Sequence, residues 1–382
     1  MTPAARLSAA IFVLDRILAG TSPEQALTNW GRASRFAGSG DRAALRDLVF
    51  DALRCRRSYG ALGGADTGRG LILGGMRARG EDLGLFSGQG HAPSPVAEDE
   101  GGAMPFGAAA LDCPDWLMPL FDESLGDQAA SVLDALRKRA PVFVRVNSLR
   151  ATVTQAQAAL QAEGIVTRVV PDVNTALEVI ENARKLQKSA AYANGLVDLQ
   201  DASSQAVIAA LPLVAGMRVL DYCAGGGGKT LAMAARLRGP VDAHDIAARR
   251  MADLPVRAKR AGADVHVLDR PQGSYDLVLA DAPCSGSGSW RRDPMGKWNL
   301  TPARLHELHG QQADVLAKAA GYVRPDGLLA YATCSLLRSE NQGQIARFLQ
   351  ENPEWSEVGC QAWTPLGGGD GFFLSMLARK NF

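Results

Sequence analysis

The stretch "MRVLDYCAGGGGKT", residues 217–230, decides the fold. A short apolar run ends at Asp221 and Tyr222, four glycines follow at 225–228, and Lys229 and Thr230 open a segment of helical spacing. Consecutive glycines between a strand and a helix let the backbone take conformations closed to other residues and approach a ligand closely. The same alternation of short apolar run and helical segment continues through "PVDAH" (240–244), "DVHVL" (264–268), "YDLVLA" (275–280) and "LLAYAT" (328–333). Strands alternating with helices predict a mostly parallel, doubly wound sheet. In such sheets ligands bind beyond the carboxyl ends of the strands.

Those ends carry chemistry. Asp245 stands about twenty residues past the glycines, where an acid fits a ribose hydroxyl, and Asp269 follows at the next strand end, where it fits an adenine edge. The fourth strand runs into "DAPCSGSGSWRRDP" (281–294), which presents Asp281 and Cys284, and the fifth into "TCS" (333–335), which presents Cys334. A glycine loop alone also serves NAD enzymes and structural turns, and a single cysteine usually just fills a core. Two cysteines from adjacent strand ends beside a cofactor loop are less readily ascribed to packing.

Composition sets the outer bounds. At 382 residues the chain is expected to form two or three domains, and its 47% hydrophobic and 21% charged residues are ordinary for a protein with cores. Lys plus Arg (41) nearly cancels Asp plus Glu (40), so any basic surface for nucleic acid must be local. The six cysteines (55, 113, 223, 284, 334 and 360) form no CxxC pair and no ligand spacing with histidine, which argues against a metal site and against a disulfide framework. "LSAAIFVL" (7–14) is short and is followed by Asp15 and Arg16, so neither a signal peptide nor a membrane span is expected. A reduced cytoplasm is the expected compartment.

The N-terminal third reads as helices, with Ile11, Leu14, Ile17 and Leu18 at helical spacing, a Ser22–Gln25 capping box with Pro23, and an apolar face at Leu45, Leu48, Val49, Ala52 and Leu53. Arginines 32, 35, 42, 46, 54, 56 and 57 lie on these helices, either as a solvated face or as an RNA-facing patch. A glycine-rich acidic loop is expected at about 60–107, mobile and with only short helical pieces. "PVFVRVNSLRATVTQAQAALQAEGIVTRVVPDV" (141–173) reads as strand, helix, strand, a small α/β unit. The expected boundaries are a helical domain over 1–138, an α/β subdomain over 139–212 and the doubly wound domain over 213–382.

"DYCAGGGGKT", "DAPCSGSG", "RRDP", "YATCSLLRSEN" and "GGGDGFFLSMLARK" together resemble the RNA cytosine-5 methyltransferases of the Nop/Sun group, and within it the RsmB type. The resemblance covers about residues 140–382 and is weaker over the first 60, where "DRAALRDLVFDALR" (41–54) is similar to a NusB-like domain. It implies a Rossmann-like class I methyltransferase domain preceded by an all-α NusB-like RNA-binding domain and a small α/β linking subdomain. It implies S-adenosylmethionine as cofactor, no metal, and ribosomal RNA of the small subunit as partner, with a monomer expected.

By the same resemblance Cys334 matches the nucleophile that adds to cytosine carbon 6, and Cys284 the second cysteine, which helps break down the adduct. Asp281 matches the residue that holds the base near N3 and its amine, and Lys229 the lysine that contacts Asp281 and the base. Cofactor contacts fall on Cys223, Ala224, Gly225, Gly226, Gly227, Gly228, Lys229, Asp245, Arg250, Asp269 and Asp281. Cys223, Cys55, Cys113 and Cys360 are read as structural.

The sequence departs from the family at Gly225 and Gly226, which replace alanine and proline, and a more mobile loop with weaker cofactor binding is expected. Pro255 is expected to kink the helix after Asp245. Arg249, Arg250, Arg257, Lys259 and Arg260 on one side, and Arg291, Arg292 and Lys297 on the other, are expected to hold RNA phosphates. The rival functions are a transfer-RNA cytosine-5 methyltransferase, a non-catalytic RNA-binding assembly factor, and an NAD oxidoreductase that would leave both cysteine motifs unexplained.

Overall fold

The computed structural model describes residues 1–380, which divide into two units. Residues Met1–Arg139 and Trp290–Asn299 form one, and Ala140–Ser289 and the described residues from 300 to 380 the other.

The first unit is helical. Helices Pro3–Leu18, Pro23–Ala33, Ser39–Arg54, Arg56–Gly63 and Gly68–Arg79 bury Leu14, Ile17, Leu45, Val49, Leu53, Leu71, Leu73 and Met76 in a common core. Ser22 caps the second helix by accepting from the Gln25 amide, while the Gln25 side chain turns to Asn29, so only half of the expected box forms.

The stretch expected to be a loop is largely built into this core. Residues 68–79 form a helix whose apolar side chains are buried, against the expected mobile insertion. The glycines that suggested a loop are there for close packing: a Cβ at Gly63 would fall 1.8 Å from the Gly70 carbonyl oxygen, and one at Gly74 1.8 Å from that of Tyr59. Only side chains of zero size let the two helices approach so closely. The acidic stretch beyond is tethered, with Arg69 bonded to the Glu100 carboxylate at 2.7 Å and Arg77 to its carbonyl at 2.6 Å.

The second difference lies at Trp290–Asn299, which belongs to the helical unit although it was expected inside the continuous span 213–382. The last turn of helix Ser39–Arg54 leaves carbonyls without helical partners. Trp298 Nε1 donates to the Leu53 carbonyl at 2.7 Å and Lys297 Nζ to that of Arg54 at 3.3 Å.

The second unit holds two sheets. Strands β1 (Val142–Val146), β2 (Val166–Val169), β3 (Ala176–Glu181) and β4 (Val197–Leu199) form an antiparallel sheet in the order β2-β3-β1-β4. Strands β5 (Val219–Asp221), β6 (Val241–Ala243), β7 (Val265–Val267), β8 (Tyr275–Asp281), β9 (Val323–Thr333), β10 (Trp355–Trp363) and β11 (Phe372–Arg379) form the larger one, ordered β10-β11-β9-β8-β5-β6-β7. From β5 to β9 neighbours pair in parallel, and β11 enters antiparallel between β9 and β10. The order reverses between β5 and β8, so the crevice beyond their carboxyl ends is the place for a ligand.

Both faces of the larger sheet are covered, which is why its central strands read as continuous apolar runs. Leu277, Leu279, Ala330, Ala332 and Leu374 pack on one side, and Val278, Ala280, Leu329, Tyr331 and Phe373 on the other. Pro255 does not kink a helix. Helix Leu254–Ala261 starts there, with the proline in its first turn where no helical N–H is needed.

Candidate active site

The turn from β5 into helix Gly228–Leu237 uses its glycines at two positions. Gly225 has φ +50° and Gly227 φ +79°, and a Cβ at Gly227 would lie 2.1 Å from Leu254 Cδ1. The loop is braced rather than loose: the Arg257 guanidinium bonds the Gly226 carbonyl, and Asp245 Oδ2 accepts the Gly225 amide at 2.9 Å. Asp245 is buried at the end of β6, also accepts the Ala247 amide at 2.9 Å, and pairs with Arg250 at 3.2 Å. Asp269 is exposed, two residues beyond β7.

Asp221 is fully buried beneath this loop. Its Oδ2 accepts the Thr230 hydroxyl at 2.6 Å, while its buried Oδ1 has no hydrogen-bond partner among the described residues. Burial pushes its carboxyl up to about 7, against the Thr230 hydrogen bond and with help from the charges of Asp281 and Asp245. Such a cluster of acids, with an orphaned oxygen, suits a cationic ligand.

The raised value has a stability consequence. A carboxyl that folds with a raised pKa favours the native state below its unfolded value near 3.8, and that advantage is lost as pH rises through about 7. Asp221→Asn is therefore expected to be more stable than wild type by up to about 4 kcal/mol above pH 8 and to lose that margin near pH 4. Thermal melts of the two ligand-free proteins across this range check it; a margin that does not change with pH refutes it.

Beyond the loop Lys229 reaches Asp281 at the end of β8, Nζ to Oδ2 2.7 Å, and lies 4.7 Å from the centre of the Phe372 ring. Burial alone would push the ammonium down, but Asp281 holds it above its ordinary value. Cys284 and Cys334 leave the neighbouring strands β8 and β9 and meet with their sulfurs 3.4 Å apart.

The two thiols differ. Cys334 is drawn below its ordinary pKa by the hydrogen bond with Cys284, against burial and the charge of Asp281 and with help from Lys229 and the Ser289 hydroxyl. Cys284 is pushed well above its own by that hydrogen bond, by burial and by the carboxylate of Glu340. Lys229 thus favours the anion at Cys334, and Glu340 disfavours it at Cys284. Of the two, Cys334 is the thiol more readily ionised and Cys284 the one more readily kept protonated.

Of the other cysteines, Cys55 and Cys113 are buried and Cys223 is half-buried, whereas Cys360 on β10 is exposed and fills no core. Burial pushes the Cys55 thiol up to about 11 and that of Cys113 up to about 12, and Cys223 is raised in the same way.

The structure departs from the expected set of phosphate-binding cations. Lys297 and Arg291 are buried in the helical unit, 3% and 5% exposed, and Lys297 is pushed down to about 8 by burial, so neither is a surface cation. Arg257 and Arg260 both pair with Asp198 of β4, at 2.6 and 3.0 Å, and tie the small sheet to the larger one's helix. Arg249, Lys259 and Arg292 are exposed.

Sequence reasoning passed over Asp221, Ser285, Ser289, Phe372 and Glu340. Glu340 stood inside the quoted "YATCSLLRSEN", but an acid two residues from an arginine reads as a surface charge, and only its burial marks it out.

A seven-stranded sheet with one antiparallel insertion, a glycine turn after its first strand and acids at the next strand ends defines the Rossmann-like methyltransferase class. The family model described as 16S rRNA methyltransferase RsmB/F matches residues 208–375, and one described as the ferredoxin-like domain of RsmF/B-like methyltransferases matches 113–186. The chain is 32% identical over 302 residues to the ribosomal RNA small subunit methyltransferase B of Xanthomonas campestris, covering 72% of this chain and 69% of that one. It is also 32% identical over 285 residues to the enzymes of the same name from Klebsiella pneumoniae and Vibrio cholerae, where it spans 66% and 65% of their length. The chain belongs to the RsmB/F family. Among solved structures, PH0851 superposes with a TM-score of 0.81 at 22% identity over 99% of both chains. NSun6 from Pyrococcus horikoshii, solved with SFG, does so at 0.63 and 17% over 70% of this chain and 99% of that one. These two share the fold.

Proposed function

We propose that this chain is an S-adenosylmethionine-dependent RNA cytosine-5 methyltransferase of small-subunit ribosomal RNA, working in the cytoplasm as a monomer with a NusB-like N-terminal domain. One observation carries the reading: two thiols of opposite tendency, 3.4 Å apart, at the ends of β8 and β9, with the Lys229–Asp281 pair beside Cys334. Bound S-adenosylmethionine would supply an electrophilic methyl group. The glycine turn and Asp245 fit its nucleoside and methionine parts, and the acids around Asp221 fit its positive charge.

Cytosine carbon 5 is a poor nucleophile until a thiolate adds at carbon 6, so the residue that adds must be ionised near neutral pH. An ordinary thiol is only a few per cent ionised there. Lys229, Ser289 and the Cys284 S–H all act on Cys334 in the direction this requirement demands. Asp281, held by Lys229, accepts from the base amine and stabilises the adduct electrostatically. Cys284, kept protonated beside Glu340, assists release of the methylated base. The target base must leave its stack to reach this site, and Arg249 and Lys259 would contact phosphates without choosing the base.

The test is transfer of tritium from labelled S-adenosylmethionine into small-subunit ribosomal RNA and transfer RNA from cells lacking the gene. Label in cytosines of the ribosomal RNA is the expected result. Label confined to transfer RNA moves the substrate, and no label in either pool, despite RNA binding, overturns the enzyme reading.

A further inference from the structure

Glu340 is a fully buried carboxylate held by neutral donors from Ser285, Gln312 and Ser335. It is 0% exposed and lies in the short turn after the Cys334 loop. Its Oε1 accepts the Ser285 amide at 2.8 Å and the Gln312 amide group at 3.0 Å. Its Oε2 accepts the hydroxyls of both Ser285 and Ser335, each at 2.5 Å.

Ser285 follows Cys284 in the chain, and Ser335 follows Cys334. A single carboxylate therefore holds the residue after each cysteine. Gln312, from helix Pro302–Ala320, adds a bond to the Pro283 carbonyl at 2.9 Å on the other side of Cys284. Tyr331 of β9 anchors the acid from behind by donating to the Glu340 carbonyl at 2.7 Å. Burying a charge among neutral donors is costly unless several hydrogen bonds converge on it. Their convergence on the two cysteine loops gives that cost a use.

We propose that Glu340 is a positioning residue for the methyl-transfer reaction: it clamps the Cys284 loop against the Cys334 loop and so sets the hydrogen bond between the two sulfurs. The inference rests on the reading of Cys334 as the nucleophile. Ionisable groups facing this cluster are Lys229 and Asp281 beside Cys334, Tyr331 from β9, and His309 from helix Pro302–Ala320, which bonds Ser339. Glu340 acts on the nucleophile through Cys284, whose S–H it keeps in place.

Glu340→Gln is the informative change because it preserves volume, yet an amide cannot accept from all four donors at once. The measurement is the pH dependence of iodoacetamide alkylation at Cys334 and Cys284, followed peptide by peptide by mass spectrometry on the full chain without RNA or cofactor. In wild type Cys334 is expected to react at lower pH than Cys284. In Glu340→Gln the two midpoints are expected to converge, with Cys334 alkylated about tenfold more slowly at pH 7, as a thiol that has lost its donor would be. Ser285→Ala, which removes one of the four contacts, should move the midpoints in the same direction by less.

Leu377→Ala, a buried truncation on β11, supplies a loss of stability without touching the clamp. Midpoints in Glu340→Gln that stay at the wild-type values, or move no further than in Leu377→Ala, overturn the proposal and leave Glu340 a purely structural acid. Because no methyl transfer is measured, this outcome is separate from failure of the methyltransferase reading, which would appear as absent tritium transfer with the clamp intact.

Discussion

With Cys334 as the proposed nucleophile, Cys334→Ala is expected to abolish methyl transfer, and Cys284→Ala to accumulate an RNA-linked enzyme that survives denaturation. The first effect is expected to reach at least about 10⁴-fold in single-turnover rate, since the nucleophile's bond to carbon 6 has no substitute in the site. The second variant keeps the nucleophile but loses the S–H that lies 3.4 Å from it. Adduct formation then persists, more slowly because Cys334 has lost its donor, while release is blocked.

A denaturing gel of enzyme with labelled RNA separates the cases: a shifted band in Cys284→Ala, none in Cys334→Ala, and none in the double variant. A shifted band in Cys334→Ala alone would exchange the roles of the two cysteines. The asymmetry of their surroundings, with Lys229 near one and Glu340 near the other, argues against that exchange.

Lys229→Met carries the next largest effect. Lys229 is 10% and Asp281 29% exposed, and their 2.7 Å bond is a partly buried ion pair. Removing one partner of a buried pair costs 3–5 kcal/mol because the other charge is left uncompensated; with Asp281 partly in water, about 2 kcal/mol is expected here.

The chemical cost is larger. Asp281 loses the contact that fixes its orientation toward the base, and Cys334 loses a cation that favours its anion, so methyl transfer should fall about 10³-fold. The alkylation midpoint of Cys334 should rise at the same time. A melting curve, a single-turnover assay and an alkylation profile on the same preparation check the three effects. An unchanged alkylation midpoint would show that Lys229 serves the ion pair alone.

Fold and site were unequally legible. The strands from β5 to β9 were readable because a sheet covered on both faces requires continuous apolar runs, and their ends were marked by residues such as Asp245, Cys284 and Cys334. The helix at 68–79 was misread because glycine serves loops and close helix packing alike, and only the approach of the Gly63 Cα to the Gly70 carbonyl distinguishes them. Lys297 and Arg291 were misread for a similar reason: a cation's type does not reveal whether it faces water or caps a helix terminus.

By itself the sequence determined the strands from β5 to β9 with the helical segments between them, the glycine turn and the two cysteines at adjacent strand ends, but not β3, β4, β10 or β11, because the former follow from local periodicity and from motifs contained in one short stretch each. The tertiary structure alone decided which thiol is favoured as the anion, which acid is buried among neutral donors and where residues 290–299 belong. Those properties depend on distances between groups far apart in the chain, and on a low-dielectric surrounding that no local pattern encodes.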